Sequence, residues 1–275
     1  INVSGNAILI YGFHCGTEGV AIPTLVSRFV AAFIIIKLLL KDKWSLHLER
    51  TFRFNPDWSM IRKILSVGIP NGLENSMFQL GKVLVLSLVS TFGTYAIAAN
   101  AVSNVITLFS ILPGQAICLA VTTVIARCVG AGDYEQAKYY NKKLILLTHI
   151  GMAITIFIVF ITLPFILKVY NLSEAASEAT RHIIWFHGFC AILIWAESFT
   201  LPATFRACGD AKACMIISTV SMWIFRVGAS YILGKNLGLG VFGVWVAMII
   251  DWAFRSLLFG IRYFSGKWKK HALVS

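Results

Sequence analysis

The chain has 275 residues, of which 58% are hydrophobic and 13% are charged. Soluble domains carry roughly 25% charged residues, so this composition excludes a soluble protein and predicts an integral membrane protein. The net charge of +12 does not indicate nucleic-acid binding, because the basic residues cluster between long hydrophobic runs. Those runs are too long for transmembrane β-strands, so the predicted fold class is an all-α polytopic membrane helix bundle.

The hydrophobic runs predict seven spans in chain order. They lie at 17–40, 64–90, 94–126, 137–169, 180–206, 212–234 and 240–264. Residues 1–13 resemble the end of an earlier helix, because the chain opens inside an apolar run. We therefore expect this sequence to be cut from a longer membrane protein.

Lysine and arginine in the connecting segments predict how the spans are oriented. Sixteen of these residues fall on one side of the predicted bundle and three on the other. The sixteen lie in segments 41–63, 127–143, 206–212 and 262–270. An excess of positive charge marks the cytoplasmic side. We therefore expect a multi-pass protein of the plasma membrane, the inner membrane in a bacterium, with a cytoplasmic C-terminus.

A short internal repeat predicts two similar halves. Gly16-Thr-Glu-Gly-Val20 recurs as Gly240-Val-Phe-Gly-Val244, and a Lys-Trp pair follows each copy at the same offset. Repeats of this kind are known in secondary transporters. The predicted organisation is the end of a first lobe at 1–40, a cytoplasmic linker at 41–63, a six-helix lobe at 64–264 and a cytoplasmic tail at 265–275.

Glu74 is an ionisable group inside a predicted span. Holding a charge at bilayer depth costs roughly 2.5 to 3.5 kcal/mol on insertion scales, which indicates an ion path, a proton relay or a substrate site. Asn71 and Asn75 share its helical face, and Pro70 is expected to loosen neighbouring carbonyls. Such oxygen-rich surroundings suit Na⁺ or a proton. The alternative is an interhelical hydrogen bond that only packs the bundle.

Glu197 is a second carboxylate inside a predicted span. At about 1.5 Å per residue, Glu74 and Glu197 both lie roughly 13–15 Å from the inner ends of their helices. The two side chains can therefore share one layer of the bundle, although the sequence does not say whether they face each other. We predict that both residues bind a cation, with Na⁺ as the candidate metal ion, and structural hydrogen bonding is again the alternative.

Three residues are candidates to line a substrate cavity. Phe78 follows Glu74 on the same helical face, and Asn100 and Asn104 form a polar face on the next predicted helix. For the two asparagines, hydrogen bonding between packed helices is the favoured alternative. Lys82 is expected near the outer end of its helix, where it can extend toward the membrane surface.

A further group of charges is expected to be structural. Arg226 and Asp251 lie at similar depth on consecutive predicted helices, and Arg255 follows Asp251 by four residues. We predict a charge cluster that holds the last two helices together. His187 is expected to be a packing residue. The sequence lacks HExxH, GxSxG and P-loop motifs, so we predict neither an enzyme nor an ATPase, and no cofactor besides a coupling ion.

Four stretches of the chain resemble the multidrug and toxic compound extrusion (MATE) family of cation-coupled antiporters. They are Gly68-Ile-Pro-Asn-Gly-Leu-Glu-Asn75, Ala126-Arg-Cys-Val-Gly-Ala-Gly-Asp133, Leu201-Pro-Ala-Thr-Phe-Arg-Ala-Cys-Gly-Asp210 and Trp245-Val-Ala-Met-Ile-Ile-Asp-Trp252. The resemblance implies twelve helices in two lobes that rock between inward-open and outward-open states, with most of the N-terminal lobe absent here.

The resemblance also implies where a coupling ion binds. Some members bind Na⁺ or a proton through acidic residues on the first and fourth helices of the C-terminal lobe, and those positions correspond to Glu74 and Glu197. Other members use an aspartate of the N-terminal lobe, in a stretch that this chain does not contain. The choice of coupling site is therefore open.

The resemblance implies a monomeric exporter of organic, cationic or amphipathic drug-like compounds in exchange for Na⁺ or H⁺, with the lipid bilayer as surroundings and no nucleic-acid partner. One alternative is a lipid-linked saccharide flippase of related architecture, which would need a strongly cationic cavity, and Lys82 and Arg28 keep it open. Another alternative is a fragment of a transporter that does not itself transport.

Overall fold

The computed structural model describes residues 1–41, 56–266 and Trp268. This part of the chain is almost entirely helical and contains no strand. The chain divides into two compact units, Ile1–Asp57 and Trp58–Ser275. Most of the linker predicted at 41–63 lies outside the described residues, and so does the tail predicted at 265–275 beyond its first residues and Trp268.

Residues 1–41 of the first unit contain two helices. Helix α1 spans Asn2–Ala7 and continues as a π-helical segment at Ile8–Gly12, and helix α2 spans Glu18–Leu39. The Asn2 amide donates a hydrogen bond to Thr24 Oγ1 at 3.1 Å, which ties the two helices together. The predicted stub and the first predicted span are both helical.

The described part of the second unit contains six helices. They are α3 at Trp58–Ser90, α4 at Thr94–Gly130, α5 at Tyr134–Tyr170, α6 at Glu174–Ala207, α7 at Ala211–Asn236 and α8 at Gly240–Phe264. The six spans predicted from 64 to 264 each lie in one of these helices, and several of the helices continue beyond the predicted ends by up to six residues. Hydropathy marks the lipid-embedded part of a helix, whereas the backbone ladder runs on into the polar ends. Residues 58–63 of the predicted linker are therefore helical.

Helix α7 departs from the continuous helix that the sequence predicts. It is α-helical over Ala211–Ser221 and then contains π-helical segments at Met222–Gly228 and Tyr231–Asn236. The Ser230 hydroxyl donates to the backbone carbonyl of Arg226, which satisfies one backbone acceptor of the irregular region. A π-helical turn changes the direction in which the following side chains point, and such turns are frequent at functional sites.

Helix α6 lies at the centre of the second unit, where it packs against α4, α5 and α8, while α3 packs against α7. The contact between α4 and α6 depends on Gly114, because a Cβ at that position would overlap the indole ring of Trp195. Trp195 is itself buried in a core cluster with Met152, Ile183 and Trp252. This packing fixes the rotation of α6 and therefore decides which of its polar residues face which neighbour.

Six of the described helices are long and apolar enough to cross a membrane, namely α2 and α4 to α8. Helix α3 is not among them, although its 33 residues exceed the length that a span needs. Its polar face around Glu74 and its basic residues lower its hydropathy. Its span at 64–90 therefore stays a prediction from the sequence.

Candidate functional site

Glu74 lies on α3 with only 7% of its surface exposed. Arg206, in the last turn of α6, donates from Nη2 to both carboxylate oxygens, at 2.8 and 2.9 Å. A guanidinium keeps its charge at every physiological pH, so the carboxylate is neutralised by a permanent cation. The sequence placed Arg206 with the cytoplasmic basic residues and gave no sign of this ion pair.

A cavity of about 190 Å³, named here the Glu74 cavity, opens beside this ion pair. It is lined by Glu74, Asn75, Phe78, Ser198, Phe199, Pro202, Arg206 and Arg255. The Asn75 amide donates to the backbone carbonyl of Asn71 at 2.9 Å, so that carbonyl is not free to bind an ion. Helix α3 also continues unbroken through Pro70. Of the two predicted amide ligands, Asn75 lines the cavity and Asn71 does not.

Glu197 has a different partner on a different face of α6. Its Oε1 lies 3.0 Å from His149 Nε2 on α5, and His149 Nδ1 lies 2.7 Å from the backbone carbonyl of Ile192. The next residues along the helix, Ser198 and Phe199, line the Glu74 cavity instead. Successive helical residues point about 100° apart, so matched depth does not bring the two glutamates onto one ligand.

The contact between His149 and Glu197 contains one proton. A carbonyl oxygen only accepts hydrogen bonds, so the Ile192 carbonyl assigns a hydrogen to Nδ1. The Nε2 to Oε1 contact then needs a second hydrogen, carried either by the imidazolium or by the carboxylic acid. Without that proton, a nitrogen lone pair would face a carboxylate and the contact would break. The pair is therefore neutral when it is closed and has a charge of −1 after the proton leaves.

Three cations surround the ring of Phe78. Lys82 Nζ lies 4.9 Å from the ring centroid, and the guanidinium carbons of Arg226 and Arg255 lie at 5.3 and 5.8 Å. Arg255 also lies 5.1 Å from the ring centroid of Phe199. These distances are within the range of cation–π attraction. Arg226 belongs to the first π-helical segment of α7, so irregular backbone places one of the three cations.

Asp251 is fully buried near these arginines, but it is hydrogen-bonded to a serine. The Ser221 hydroxyl donates to Oδ1 and to the backbone carbonyl of Asp251, and Oδ2 has no hydrogen-bond partner among the described residues. Arg226 donates from Nη2 to Met248 Sδ at 3.1 Å. Of the three residues in the predicted charge cluster, Arg226 and Arg255 contact the Phe78 ring, whereas Asp251 is hydrogen-bonded to Ser221. Within the described residues, no ion pair joins Asp251 to either arginine.

A second cavity of about 230 Å³, named here the Lys82 cavity, lies on the α7 and α8 side of the unit. It is lined by Lys82, Val85, Leu86, Asn100, Asn104, Arg226, Val244, Trp245 and Met248. The Trp245 indole donates to Asn100 Oδ1 at 3.1 Å. Two of the three predicted substrate-cavity residues, Asn100 and Asn104, thus line this cavity. The third, Phe78, lines the Glu74 cavity, and its ring contacts cations that line each of the two cavities.

Sequence reasoning missed two functional candidates and one structural pair. Arg206 and His149 have the contacts described above, and His149 could have been found as an ionisable residue inside a predicted span. Arg262 Nε donates to Asp210 Oδ2 at 2.6 Å, which joins the end of α8 to the turn before α7. His187, predicted as packing, is buried edge-on to the rings of two tryptophans of α8.

Comparison with known proteins gives the class of this arrangement. The model of the MatE family matches residues 70–232, which is more than half of the chain and includes Glu74, Glu197 and Arg226. The chain belongs to the MatE family.

The chain is similar to a probable multidrug resistance protein NorM from Thermotoga maritima, with 27% identity over 267 residues. The match covers 96% of this chain and 57% of that protein.

Two solved structures share the fold. One is a multidrug resistance MATE family transporter of the MOP superfamily in an outward-facing conformation, with 20% identity and a TM-score of 0.87. The other is a MOP superfamily transporter from Pyrococcus furiosus, with 21% identity and a TM-score of 0.85, for which a reverse polarity of the binding pocket suggests a different function. They cover 98% and 96% of this chain, which spans 60% of each of them.

Proposed function

We propose that the chain forms part of a secondary-active exporter that moves amphipathic organic compounds outward in exchange for protons. Membership of the MatE family and the multidrug-resistance name of the NorM relative support the export of organic compounds. The His149–Glu197 contact supports the proton as the coupling ion. The sequence left Na⁺ or H⁺ open as the coupling ion and a cationic or amphipathic compound open as the substrate, and the geometry gives less support to Na⁺ and to a cationic compound.

The choice of proton over Na⁺ rests on what each carboxylate contacts. Na⁺ requires several oxygen ligands at once, as hard cations do. Both oxygens of Glu74 accept from Arg206, and the first partner of Glu197 is a nitrogen. A proton needs only one acceptor, and the His149–Glu197 contact forms only when a proton lies between the two side chains. This contact is the observation that carries the proposal.

Proton binding can be coupled to substrate binding because the His149–Glu197 contact between α5 and α6 forms only when the proton is bound. With the proton bound, the neutral pair holds the two helices together. After the proton leaves, the pair has a charge of −1 and repels, which favours another arrangement of the helices. A substrate that prefers one arrangement then changes the proton affinity, and the proton changes the substrate affinity by the same factor.

The orientation and the location of the protein belong to this proposal. The basic connections predicted on one side support a cytoplasmic C-terminal tail and a plasma membrane location, the inner membrane in a bacterium. A protein of this topology carries protons inward down their gradient while the organic compound leaves. The chain spans 57% of the length of its NorM relative, so the activity proposed is that of the full-length protein.

The test is efflux of a fluorescent amphipathic dye from proteoliposomes that contain the full-length protein. A pH gradient should drive efflux and a Na⁺ gradient at constant pH should not. His149→Gln and Glu197→Gln should each reduce pH-driven efflux at least tenfold, because neither retains the exchangeable proton. His182→Gln is the matched control, since His182 lies exposed on the same α6 helix, outside both cavities. Efflux driven equally by Na⁺, or abolished by Glu74→Gln and not by Glu197→Gln, would overturn the assignment.

One observation on this chain also fits the alternative function of a lipid-linked saccharide flippase. A lipid-linked saccharide carries phosphate and would need a cationic cavity, and the Lys82 cavity contains Lys82 and Arg226. The Pyrococcus furiosus relative, with its reversed pocket polarity, indicates that the charge of the pocket varies within this fold. The positive charge of the cavity therefore bears on which substrate is bound, and it does not distinguish a flippase from an exporter.

A further inference from the structure

We propose that the Lys82 cavity binds an anionic headgroup, a carboxylate or a phosphate, of an amphipathic substrate. The description of that ligand as a transported substrate rests on the proposed function, whereas the binding itself does not. The inference follows from the charges that line the cavity, from the partners of the nearest carboxylates and from the size of the cavity.

The lining of the cavity is positively charged. Lys82 and Arg226 both line it, and none of the lining residues within the described part of the chain is acidic. Arg255 lies 5.8 Å from the centroid of the Phe78 ring, which Lys82 and Arg226 also contact, and it adds to the positive potential. A guanidinium can donate two parallel hydrogen bonds to a carboxylate or phosphate, and an ammonium adds a point charge.

The two nearest carboxylates already have partners. Glu74 is bound by Arg206, and Asp251 accepts from Ser221. With Lys82, Arg206, Arg226 and Arg255, this region holds four cations and two carboxylates among the described residues. Unpaired charge at membrane depth is costly and such groups pair with one another or mark a substrate path. An incoming anion would neutralise the excess positive charge.

The size of the cavity selects a headgroup rather than a whole molecule. Pockets for drug-sized ligands have volumes of about 300–1,000 Å³, and this cavity has about 230 Å³. Val244, Trp245 and Met248 supply an apolar wall for the part of the ligand next to the headgroup. Asn100 accepts from Trp245 through its oxygen, which leaves its amide hydrogens as further donors.

The test measures equilibrium binding to the full-length protein in nanodiscs of zwitterionic lipid, by fluorescence anisotropy. Three probes share a dansyl group and a six-carbon chain and differ only in the end group: a carboxylate, a neutral amide or a trimethylammonium. The carboxylate probe should bind at least tenfold more tightly than the other two. Lys82→Gln should remove most of this preference, Lys82→Arg should keep it, and Lys82→Glu should reverse it toward the trimethylammonium probe.

Lys235→Gln is the matched control, because Lys235 is an exposed lysine near the end of α7, outside the cavity. Arg226→Lys tests the second cation while keeping its charge, so the preference for an anion should persist with weaker binding. Tighter binding of the trimethylammonium probe, equal binding of all three, or an anion preference that Lys82→Glu leaves unchanged would overturn the proposal.

Two further arms separate the source of the anion from the proposed transport function. Competition by phosphatidylglycerol in the nanodisc indicates a lipid headgroup, and competition by inorganic phosphate alone indicates a soluble ligand, and either supports the anion site. His149→Gln should leave the probe preference intact even though it should reduce pH-driven efflux at least tenfold. A failure of proton coupling can therefore be distinguished from a failure of anion binding.

Discussion

Glu74 and Glu197 are the same residue type at the same predicted depth, and they have opposite kinds of partner. Glu74 is buried and both of its oxygens accept from Arg206, whose charge is permanent. Glu197 is about a third exposed at its side chain and contacts His149, an imidazole that can bind and release a proton. The first pair is a fixed link between α3 and α6, and the second is a link between α5 and α6 that depends on a proton.

This difference shows that the presence of a carboxylate in the membrane does not by itself identify the coupling residue. The ability of a carboxylate to exchange an ion depends on whether its partner can change charge. Arg206 cannot release its proton, so Glu74 can gain a new cation only if the ion pair opens. His149 can, so the contact at Glu197 can open and close without any other group moving first.

The largest effect should come from breaking the fixed link. Arg206→Gln leaves Glu74 buried without its cation, and the loss of one partner of a buried ion pair costs about 3–5 kcal/mol. Because the Arg206 side chain is 27% exposed, we expect the lower end, about 3 kcal/mol in the free energy of unfolding. His149→Gln should cost only about 1 kcal/mol, as a single hydrogen bond does. Unfolding in mixed detergent micelles, followed by circular dichroism, measures both.

The control for this prediction is the double variant Glu74→Gln with Arg206→Gln. Removing both charges avoids the buried unpaired carboxylate, so the double variant should be more stable than Arg206→Gln alone. If the two single variants at Arg206 and His149 destabilise the protein equally, the distinction between a fixed and a proton-dependent link is wrong.

The next effect is a difference in how the two links respond to pH. The His149–Glu197 contact contributes stability where the pair holds its proton and loses it as the pH rises and the proton leaves. In the Glu74–Arg206 contact, the guanidinium does not lose its proton over the accessible pH range. Raising the pH from about 5 to about 9 should therefore remove roughly 1 kcal/mol of stability from the wild type and much less from His149→Gln.

His182→Gln again serves as the control, because it removes an exposed histidine and should keep the pH dependence of the wild type. The comparison uses the difference between variants, so pH effects common to the whole protein cancel. A pH dependence that His149→Gln leaves unchanged would show that the proton of this pair has no structural effect.

The sequence predicted the helices better than it predicted the partners. All seven spans appear as helices because long apolar runs determine where helices form in a membrane. The partners of Glu74 and Glu197 depend on the rotation of α6, which packing such as that of Trp195 against Gly114 fixes. The π-helical segment that holds Arg226 leaves no pattern in the sequence, since its residues also fit a regular helix. Depth could be read from position along the chain, whereas the facing direction could not.

The smallest effect should come from Asn75, which the sequence predicted as an ion ligand beside Glu74. In the structure its amide donates to the carbonyl of Asn71 one turn earlier, and the side chain is exposed to the Glu74 cavity. Asn75→Ala removes one solvent-accessible hydrogen bond and no charge, so we expect a cost below about 0.5 kcal/mol and less than a twofold change in efflux. Ser90→Ala is the matched control, because Ser90 makes a similar bond to a carbonyl on the same helix. A tenfold loss of efflux in Asn75→Ala, absent in Ser90→Ala, would restore the amide as a ligand and would move the coupling site back toward Glu74.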